Sequence, residues 1–439
     1  MGKKDRAMRI LNVWKGDSYR FGLDVLDSVG EITKKFGEET LIIRSDSEWS
    51  KEPMKKISNS LEEENIDYRM ITGARPNCPR EDLYKMSMNI AQYEPDSLVI
   101  LGGGSKIDGG KAANVLATYR PDEAAEALTL DWNEADSIDP YFGTGNVTKV
   151  KESTGKKMIP MIAVQTASGS GAHLTKYSNI TDPVKSQKKL IVDDAIIPEK
   201  AIFDYGLTME APRSLTLDGA LDGISHLWEV FMGAKNNPNY DKIKEVTELG
   251  FDLIVNNLHQ ALEDDEDARL ALGLGTDLGA YAIMLGGTNG PHLGSFSLVD
   301  KLSHGRACAI LLPYYTVFFS ENIEDQLRTI GPLFKESGFI QTNLEDLEGR
   351  ELGEAVARGM IKFNQSLNFP TSLKEAEVST DRIKRMVEAA KDPQLKMKVL
   401  NMPIPINPGK GDVDKYMKSI LEAAYKGDLD HIEAKETGQ

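Results

Sequence analysis

Short apolar runs alternate with helix-forming stretches in the first half of the chain. Four such runs, at residues 40–44, 96–101, 159–164 and 200–204, are each bounded by glycine, proline or charged residues. Runs of this length are typical of buried parallel strands, and their alternation with helices predicts a doubly wound α/β domain. Residues 121–157 interrupt the alternation and are rich in Asp, Gly and Thr. We expect a surface excursion there, with a hairpin as one form that it can take.

Beyond residue 207 the apolar pattern changes from strands to helices. Seven stretches have helical spacing: 215–232, 241–262, 268–285, 306–321, 352–367, 381–390 and 413–425. This spacing predicts an all-helical second domain. The sequence therefore predicts an α/β domain with a parallel sheet over residues 1–206 and an all-α domain over residues 207–439.

Composition and charge exclude several classes of protein. The 439 residues are 40% hydrophobic, which is enough for a large core, and no run of about 18 apolar residues predicts a membrane span. The net charge of −16 disfavours nucleic acid and anionic membrane surfaces as partners. Cys78 and Cys308 are the only cysteines, too few for a disulfide framework or a thiolate metal cluster. We therefore expect a cytoplasmic protein.

A glycine-rich turn follows the apolar run at residues 96–101. Gly102, Gly103, Gly104 and Ser105 lead from this run into a helical stretch. Glycines let backbone N–H groups approach a ligand, and the start of a helix favours an anion. A diphosphate is the natural ligand, although an ordinary tight turn accounts for the same residues. The segment lacks the GxGxxG fingerprint of dinucleotide-binding folds.

A second turn of small residues, 165–171, follows the apolar run at residues 159–164. It offers the hydroxyls of Thr166, Ser168 and Ser170 at the carboxyl end of a predicted strand, where α/β proteins usually bind ligands. Two such turns in one domain favour a nucleotide more than either turn does alone.

Arg44 and Asp46, at the end of the apolar run at residues 40–44 and just after it, point to different cofactors. Asp46 would accept hydrogen bonds from the ribose hydroxyls of NAD and would repel the 2′-phosphate of NADP, whereas Arg44 would pair with that phosphate. We favour NAD and keep NADP as the alternative.

Asp222 and His226 are four residues apart in a predicted helix, so their side chains share one face. Glu229 follows on the same face and can orient a metal ligand. His292 and His304 each stand beside glycines, which suits ligands in a crowded site better than core histidines. Three imidazoles and one carboxylate suit Zn²⁺ or Fe²⁺, and without thiolates they do not favour soft metals.

The remaining histidines have weaker signals. His259 and His431 lack glycine neighbours, and we interpret them as structural or solvated. His173 lies beside the second turn, where a structural role is favoured over a contact with a cofactor.

Together these motifs resemble the iron-containing alcohol dehydrogenase family over nearly the whole chain. Residues 102–111 resemble its GGGS-x-x-D-x-A-K motif, and residues 165–173 resemble P-T-T-A-G-T-G-S-E with several departures, Gln165 in place of Pro among them. Residues 222–229 match D-A-L-x-H-x-x-E with Gly223 and Ile224 in place of Ala and Leu. Residues 304–313 match H-G-x-A-x-A-I-L-L-P, which is the most specific likeness in the chain.

The resemblance implies two sets of site residues. The metal ligands would be Asp222, His226, His292 and His304. The cofactor-binding residues would be Asn77, Gly102, Gly103, Gly104, Ser105, Asp108, Lys111, Thr166, Ser168, Ser170, Thr175 and Lys188, with Lys189 as a substitute for Lys188. Many members have a further histidine between the last two ligands that serves a proton relay, and residues 293–303 contain none. The resemblance also implies a homodimer or larger homo-oligomer, with a cleft between the two domains.

These features predict a metal-dependent alcohol dehydrogenase that moves a hydride between NAD(P) and a small alcohol or aldehyde, with Fe²⁺ or Zn²⁺ acting as a Lewis acid. A dehydroquinate-synthase-like lyase shares the architecture, but its site needs a cluster of cationic side chains that the helical half lacks. Glycerol-type polyol dehydrogenases generally lack the Asp222/His226 pairing. A non-catalytic nucleotide-binding protein has no need of four metal ligands.

Overall fold

The computed structural model describes residues 2–127, 136–400 and 402–435. The chain forms two units, residues 9–212 and residues 213–439, and the second also takes residues 1–8. Ion pairs attach the N-terminal residues to the second unit: Lys3 Nζ lies 2.6 Å from Asp252 Oδ1, and an Arg6 guanidinium nitrogen lies 2.8 Å from Glu245 Oε1. The limits 1–206 and 207–439 remain our proposal for the two domains.

Within its described residues, 9–127 and 136–212, the first unit contains two β-sheets. Their nine strands are β1 (Tyr19–Gly22), β2 (Glu39–Arg44), β3 (Asp67–Thr72), β4 (Ser97–Gly102), β5 (Gly143–Thr144), β6 (Met161–Gln165), β7 (Tyr177–Asp182), β8 (Gln187–Val192) and β9 (Lys200–Asp204). The larger sheet has the order β1-β9-β6-β4-β2-β3, and every neighbouring pair is parallel. This confirms the predicted parallel α/β fold.

The central strands of this sheet are buried on both faces. In β4, Leu98 and Ile100 join one hydrophobic cluster while Val99 and Leu101 join another. Because successive side chains of a strand point to opposite faces, β4 must be apolar along its whole length, which is why its sequence was readable as a strand. Strands β2 and β6 likewise send alternate apolar residues into the two clusters, and β9 is buried and apolar at residues 201–203. Strands β1 and β3 form the two edges and were not predicted.

The helices are α1 (Lys3–Lys15), α2 (Val29–Thr33), α3 (Lys51–Glu63), α4 (Arg80–Tyr93), α5 (Gly104–Tyr119), α6 (Pro121–Ala127), α7 (Asn146–Thr154), α8 (Arg213–Met232), α9 (Tyr240–Ala261), α10 (Glu266–Leu285), α11 (Gly290–Ser295), α12 (His304–Phe319), α13 (Glu324–Glu336), α14 (Gly349–Ser366), α15 (Thr380–Ala389), α16 (Lys396–Leu400) and α17 (Lys418–Lys426). Each of the seven predicted helices of the second half has a counterpart, and the described part of the chain beyond residue 212 contains no strand. This confirms the all-helical second half. None of the described helices combines the length and apolar character needed to cross a membrane.

The interruption at residues 121–157 differs from the expected surface hairpin. Its described residues form α6, α7 and the short strand β5, which pairs in parallel with β8, while residues 128–135 lie outside the described part of the chain. Ile138, Tyr141 and Val147 are fully or almost fully buried in a core cluster. The described residues of the segment form no hairpin, and these buried apolar side chains show that the segment is only in part a surface excursion.

Candidate metal centre and cofactor turns

The two small-residue turns lie side by side in the first unit. Strands β4 and β6 are parallel neighbours with Gly102 opposite Gln165, so the turns that follow them leave the same edge of the sheet. A Cβ on Gly104 would lie 2.9 Å from both Cβ and Oγ of Ser170, whereas a Cβ on Gly103 would meet only Ala167, at 3.8 Å. The turns therefore touch at Gly104, and space remains beside Gly103.

These turns have the donors that an anion needs. Gly103 precedes α5 as its N-cap residue and no side chain caps the helix there, so the N–H groups of its first turn face that space. Ser168 Oγ is buried and makes no hydrogen bond within the described residues. A buried hydroxyl without a partner is costly, and a phosphate oxygen would satisfy it. The geometry fits a diphosphate.

Lys111 does not extend toward this space. Its ammonium is fully buried and donates to three backbone carbonyls, those of Ala172 at 2.6 Å, Thr175 at 2.8 Å and Tyr177 at 2.9 Å. An ammonium has three N–H donors, and all three are taken. Lys111 thus fixes the segment after the second turn to α5, a positioning role that the sequence motif did not reveal.

Asp108, Asn77 and Ser105 also hold the segments around the first turn together. The buried carboxylate of Asp108 accepts hydrogen bonds from the backbone N–H of Asn179 at 3.0 Å and from its side-chain amide at 3.1 Å. Burial raises the pKa of Asp108, and the charge of Lys111 opposes that rise. The backbone N–H of Asn77 donates to Ser105 Oγ at 3.0 Å, which places Asn77 directly beside the glycine turn.

The two adjacent lysines of β8 have different surroundings. Lys189 Nζ lies 3.0 Å from a carboxylate oxygen of Asp139 and 3.7 Å from one of Asp182, in a buried charge cluster. Lys188 is on the opposite face of the strand; burial raises the pKa values of Asp108 and Cys78, and the nearby positive charge of Lys188 opposes that rise. Lys188 therefore lies toward the glycine turn, and Lys189 is engaged elsewhere.

Asp46 follows β2 and is more than half exposed. Its carboxylate accepts a hydrogen bond from the Thr72 hydroxyl and lies 3.4 Å from the Arg44 guanidinium. Arg44 is thus turned toward Asp46 and also donates to the Ser45 carbonyl at 2.6 Å. In the second turn and its continuation, Thr166 and Thr175 are buried.

Three of the predicted metal ligands, Asp222, His292 and His304, belong to one group of donor atoms in the helical unit, whereas His226 is outside that group and faces the other oxygen of Asp222. Asp222 and His226 lie on α8, His292 on α11 and His304 at the first position of α12. Asp222 Oδ1 is 3.8 Å from His292 Nε2 and 3.9 Å from His304 Nε2, and Asp222 Oδ2 is 3.9 Å from His226 Nε2. Gly305 permits this approach, because a Cβ there would lie 2.1 Å from the Asp218 carbonyl oxygen.

The donor atoms of this cluster fit a metal ion. Asp222 Oδ1 is buried and makes no hydrogen bond within the described residues. Burial lowers the pKa of His226 to about 4, so its imidazole is neutral at physiological pH and its lone pair is available. A cation would satisfy the unpartnered carboxylate oxygen and would offset the desolvation of its charge.

Glu229 orients His292. It lies one helical turn beyond His226 on α8, is fully buried, and places Oε1 2.6 Å from His292 Nδ1. Its other oxygen accepts the backbone N–H groups of Asn289 at 2.7 Å and His292 at 3.4 Å. Burial raises the pKa of Glu229 to about 7.

Two residues at this site were not predicted. Cys308 lies one turn after His304 on α12, and its thiol belongs to the same donor cluster, although the sequence analysis left thiols out of the donor set. Lys398 donates to Thr288 Oγ1 at 2.7 Å, and its Nζ lies 5.5 Å from the centre of the Phe296 ring, which stacks on His304. Burial lowers the pKa of Lys398, and the nearby Glu229 and Cys308 raise it.

The other histidines belong to no group of metal donors within the described residues. His173 is buried, with Nε2 3.2 Å from the Tyr19 hydroxyl and its ring edge-on to Phe203. His259 Nε2 lies 3.0 Å from Ser366 Oγ, and His431 lies 3.4 Å from Glu422. These contacts agree with the structural or solvated roles expected for the three residues.

Comparison with known proteins finds a match to the same family in both halves of the chain. Residues 17–205 match the family model "Iron-containing alcohol dehydrogenase", and residues 216–421 match "Fe-containing alcohol dehydrogenase family, C-terminal". The NADPH-dependent butanol dehydrogenase of Clostridium saccharobutylicum is 26% identical over 85% of this chain and 87% of its own length. The NAD-dependent methanol dehydrogenase of Bacillus methanolicus is 23% identical over 84% of this chain and 90% of its own.

A solved structure extends the likeness to three dimensions. The alcohol dehydrogenase from Oenococcus oeni superposes with a TM-score of 0.77 at 22% identity, covering 93% of this chain and 98% of its own. This likeness shows a shared fold, and the two family models together match most of the sequence. The chain belongs to the iron-containing alcohol dehydrogenase family.

Proposed function

We propose that this protein interconverts a small alcohol and its aldehyde with NAD as hydride carrier and a divalent metal at Asp222, His226, His292 and His304. The observation that carries the proposal is the buried Asp222 carboxylate, whose two oxygens face three imidazoles at 3.8–3.9 Å. Without a cation this charge would be buried with no hydrogen bond to Oδ1. Bound Fe²⁺ or Zn²⁺ supplies Lewis-acid polarisation of the substrate oxygen.

The surrounding residues prepare the donor atoms. A carboxylate oxygen of Glu229 accepts a hydrogen bond from the Nδ1–H group of His292. This bond keeps the proton on Nδ1 and leaves the Nε2 lone pair directed at Asp222. Burial keeps His226 neutral. Ser295 Oγ lies 3.0 Å from His304 Nδ1 and orients that ring in the same way. His292 and His304 therefore each present an Nε2 lone pair without a competing proton.

The glycine turn and the second turn bind the cofactor in this proposal. The N–H groups at the start of α5 and the Ser168 hydroxyl would hold the diphosphate. Asp46, which Thr72 and Arg44 hold in place, favours the ribose hydroxyls of NAD over a 2′-phosphate. The relatives include one NADPH-dependent and one NAD-dependent enzyme, so this preference has to come from the residues of the chain itself.

We further propose that the protein acts as a homodimer or larger homo-oligomer in the cytoplasm. The family resemblance supports the assembly, and the two reduced cysteines support the compartment. Light scattering of the purified protein measures the assembly directly, and a monomeric mass would contradict it.

The activity is tested on protein stripped of metal and reloaded with Fe²⁺ or Zn²⁺. We expect a panel of two- to four-carbon alcohols and aldehydes to change the reduced-nicotinamide absorbance only after metal is restored. His226→Ala should lose both bound metal and turnover, whereas His259→Ala, at an exposed position of the same unit, should keep both. Full turnover by metal-free His226→Ala would refute the metal centre. Phosphate release from a sugar phosphate without net cofactor reduction would instead favour a lyase.

A further inference from the structure

Cys308 places a sulfur atom inside the cluster of metal donors. It lies four residues after His304 on α12, so the two side chains share a helix face, and its Sγ is 4.0 Å from His304 Nε2. One ligand atom from each of Asp222, His292, His304 and Cys308 lies within 4.8 Å of all the others.

The spacing suits a shared ion. Donors on one tetrahedral zinc, at bond lengths of about 2.0–2.3 Å, lie roughly 3.3–3.8 Å apart. The corresponding separations here are 3.8 Å from Asp222 to His292, 3.9 Å from Asp222 to His304 and 4.0 Å from His304 to Cys308. The remaining separations in this group are at most 4.8 Å, so side-chain shifts of up to about 1 Å would bring the four donors to one centre.

The two oxygens of Asp222 divide the donors into two groups. Oδ1 faces His292 and His304, and Oδ2 faces His226. Oδ1 is also the oxygen that is buried without a hydrogen bond, and Asp222 itself is 4% exposed. The unsatisfied oxygen therefore points to the side of the cluster that contains the thiol.

We infer that Cys308 is a direct metal donor, so that the centre has an Asp/His/Cys ligand set rather than carboxylate and imidazole alone. This inference rests on the metal centre of the proposed function. When the metal–sulfur bond forms, the S–H bond breaks and its proton leaves to solvent, with no change in oxidation state. A thiolate donor favours borderline-soft ions such as Zn²⁺ over hard ions such as Mg²⁺.

The test uses Co²⁺ as a probe that can be seen by absorption. The full-length protein is stripped with a chelator and titrated with Co²⁺, and thiolate ligation produces a near-ultraviolet sulfur-to-cobalt charge-transfer band. We expect the band in the wild type and in Cys78→Ala, and its loss in Cys308→Ser with the visible d–d bands retained. Cys78 is a suitable control because it is the only other cysteine and is buried in a core cluster of the first unit.

X-ray absorption spectroscopy at the zinc K-edge is a second measurement, and it needs no variant. The wild type loaded with Zn²⁺ should show a sulfur neighbour at about 2.3 Å, so the inference stays testable if Cys308→Ser fails to fold. Co²⁺ binding without the charge-transfer band, or a zinc shell of nitrogen and oxygen alone, would overturn the role of Cys308 and leave the proposed function intact. Failure of the wild type to bind either metal would overturn both.

Discussion

Glu229 and His292 form one hydrogen-bonded pair, with a carboxylate oxygen of the first 2.6 Å from Nδ1 of the second. Glu229 lies on the same helix as Asp222 and His226, whereas His292 belongs to the short helix α11. A helix of six residues has little rigidity of its own, so Glu229 supplies the orientation that α11 cannot. The pair links two of the three helices that contribute donors, α8 and α11.

Replacing Glu229 by Gln should weaken metal binding without removing a donor atom. The amide removes the negative charge that holds the proton on Nδ1 of His292, and loss of such a supporting partner typically lowers metal affinity about 10–100-fold. Competition with a chromogenic chelator measures the change. Glu245→Gln, at a partly exposed ion pair with Arg6, is the matched control and should bind metal like the wild type. Equal affinities for the two variants would contradict the orienting role.

Alanine substitutions at the adjacent glycines Gly103 and Gly104 should have different effects, one on cofactor affinity and the other on the stability of the fold. Gly103 has a φ of −82°, which any residue adopts, and its added Cβ would meet no atom closer than 3.8 Å. Gly103→Ala should therefore keep the melting temperature but raise the Kd for NAD by tenfold or more, roughly the effect of losing one close phosphate contact.

Gly104→Ala should instead destabilise the fold, by about 1–3 kcal/mol, because its Cβ would lie 2.9 Å from Ser170. Thermal unfolding and fluorescence titration with NADH distinguish the two variants. If Gly103→Ala bound NADH as tightly as the wild type, the diphosphate would have to lie elsewhere.

Cofactor preference should change at Asp46. Removing its carboxylate in Asp46→Ser removes the repulsion of a 2′-phosphate and leaves Arg44 available to pair with it. Juxtaposed like charges cost up to several kcal/mol, so we expect kcat/KM for NADP to rise about 10–100-fold relative to NAD. Glu48→Gln, at a nearby exposed carboxylate paired with Lys51, should leave the ratio unchanged. An unchanged ratio in Asp46→Ser would remove Asp46 from the cofactor site.

The stability of the metal-free protein should fall in acid partly because of His226. Burial lowers its pKa from 6.5 to about 4, so between these values the unfolded chain binds a proton that the folded protein does not. Stability therefore falls as the pH drops from 6.5 toward 4 and then levels off. Urea unfolding should show that the wild type loses about 2–3 kcal/mol more than His226→Asn between pH 7 and pH 4.5. Parallel losses in both proteins would contradict a buried neutral imidazole.

The sequence was informative where one local pattern determines the structure. Strand β4 was predictable because both of its faces are buried and every position must be apolar. The edge strand β3 was missed because four of its six residues are exposed and only Tyr68 and Ile71 pack against the core. Asp222 and His226 were found together because a single helix places them on one face.

The missed site residues depend on contacts that a local pattern does not contain. Cys308 was left out of the predicted ligands because two cysteines are too few for a thiolate cluster, and the expected start of α12 at residue 306 did not place His304 and Cys308 on one helix. Lys398 reaches the site from a segment far along the chain that gave no motif. The direction of the Lys111 side chain depends on residues 172–177, which the glycine motif does not include.

Lys111 of the glycine motif donates to three backbone carbonyls that lie outside the motif. The motif therefore cannot take up the same structure by itself. A fragment that ended before β6 would keep β4, the glycines and α5. The buried ammonium of Lys111 would then lack its three carbonyl acceptors, which lie in residues 172–177. Burying a charge without partners is costly, so we expect such a fragment to expose Lys111. The beginning of α5 would then no longer have a fixed structure. Competence to bind a dinucleotide would thus arise late, when the second turn has folded against the first.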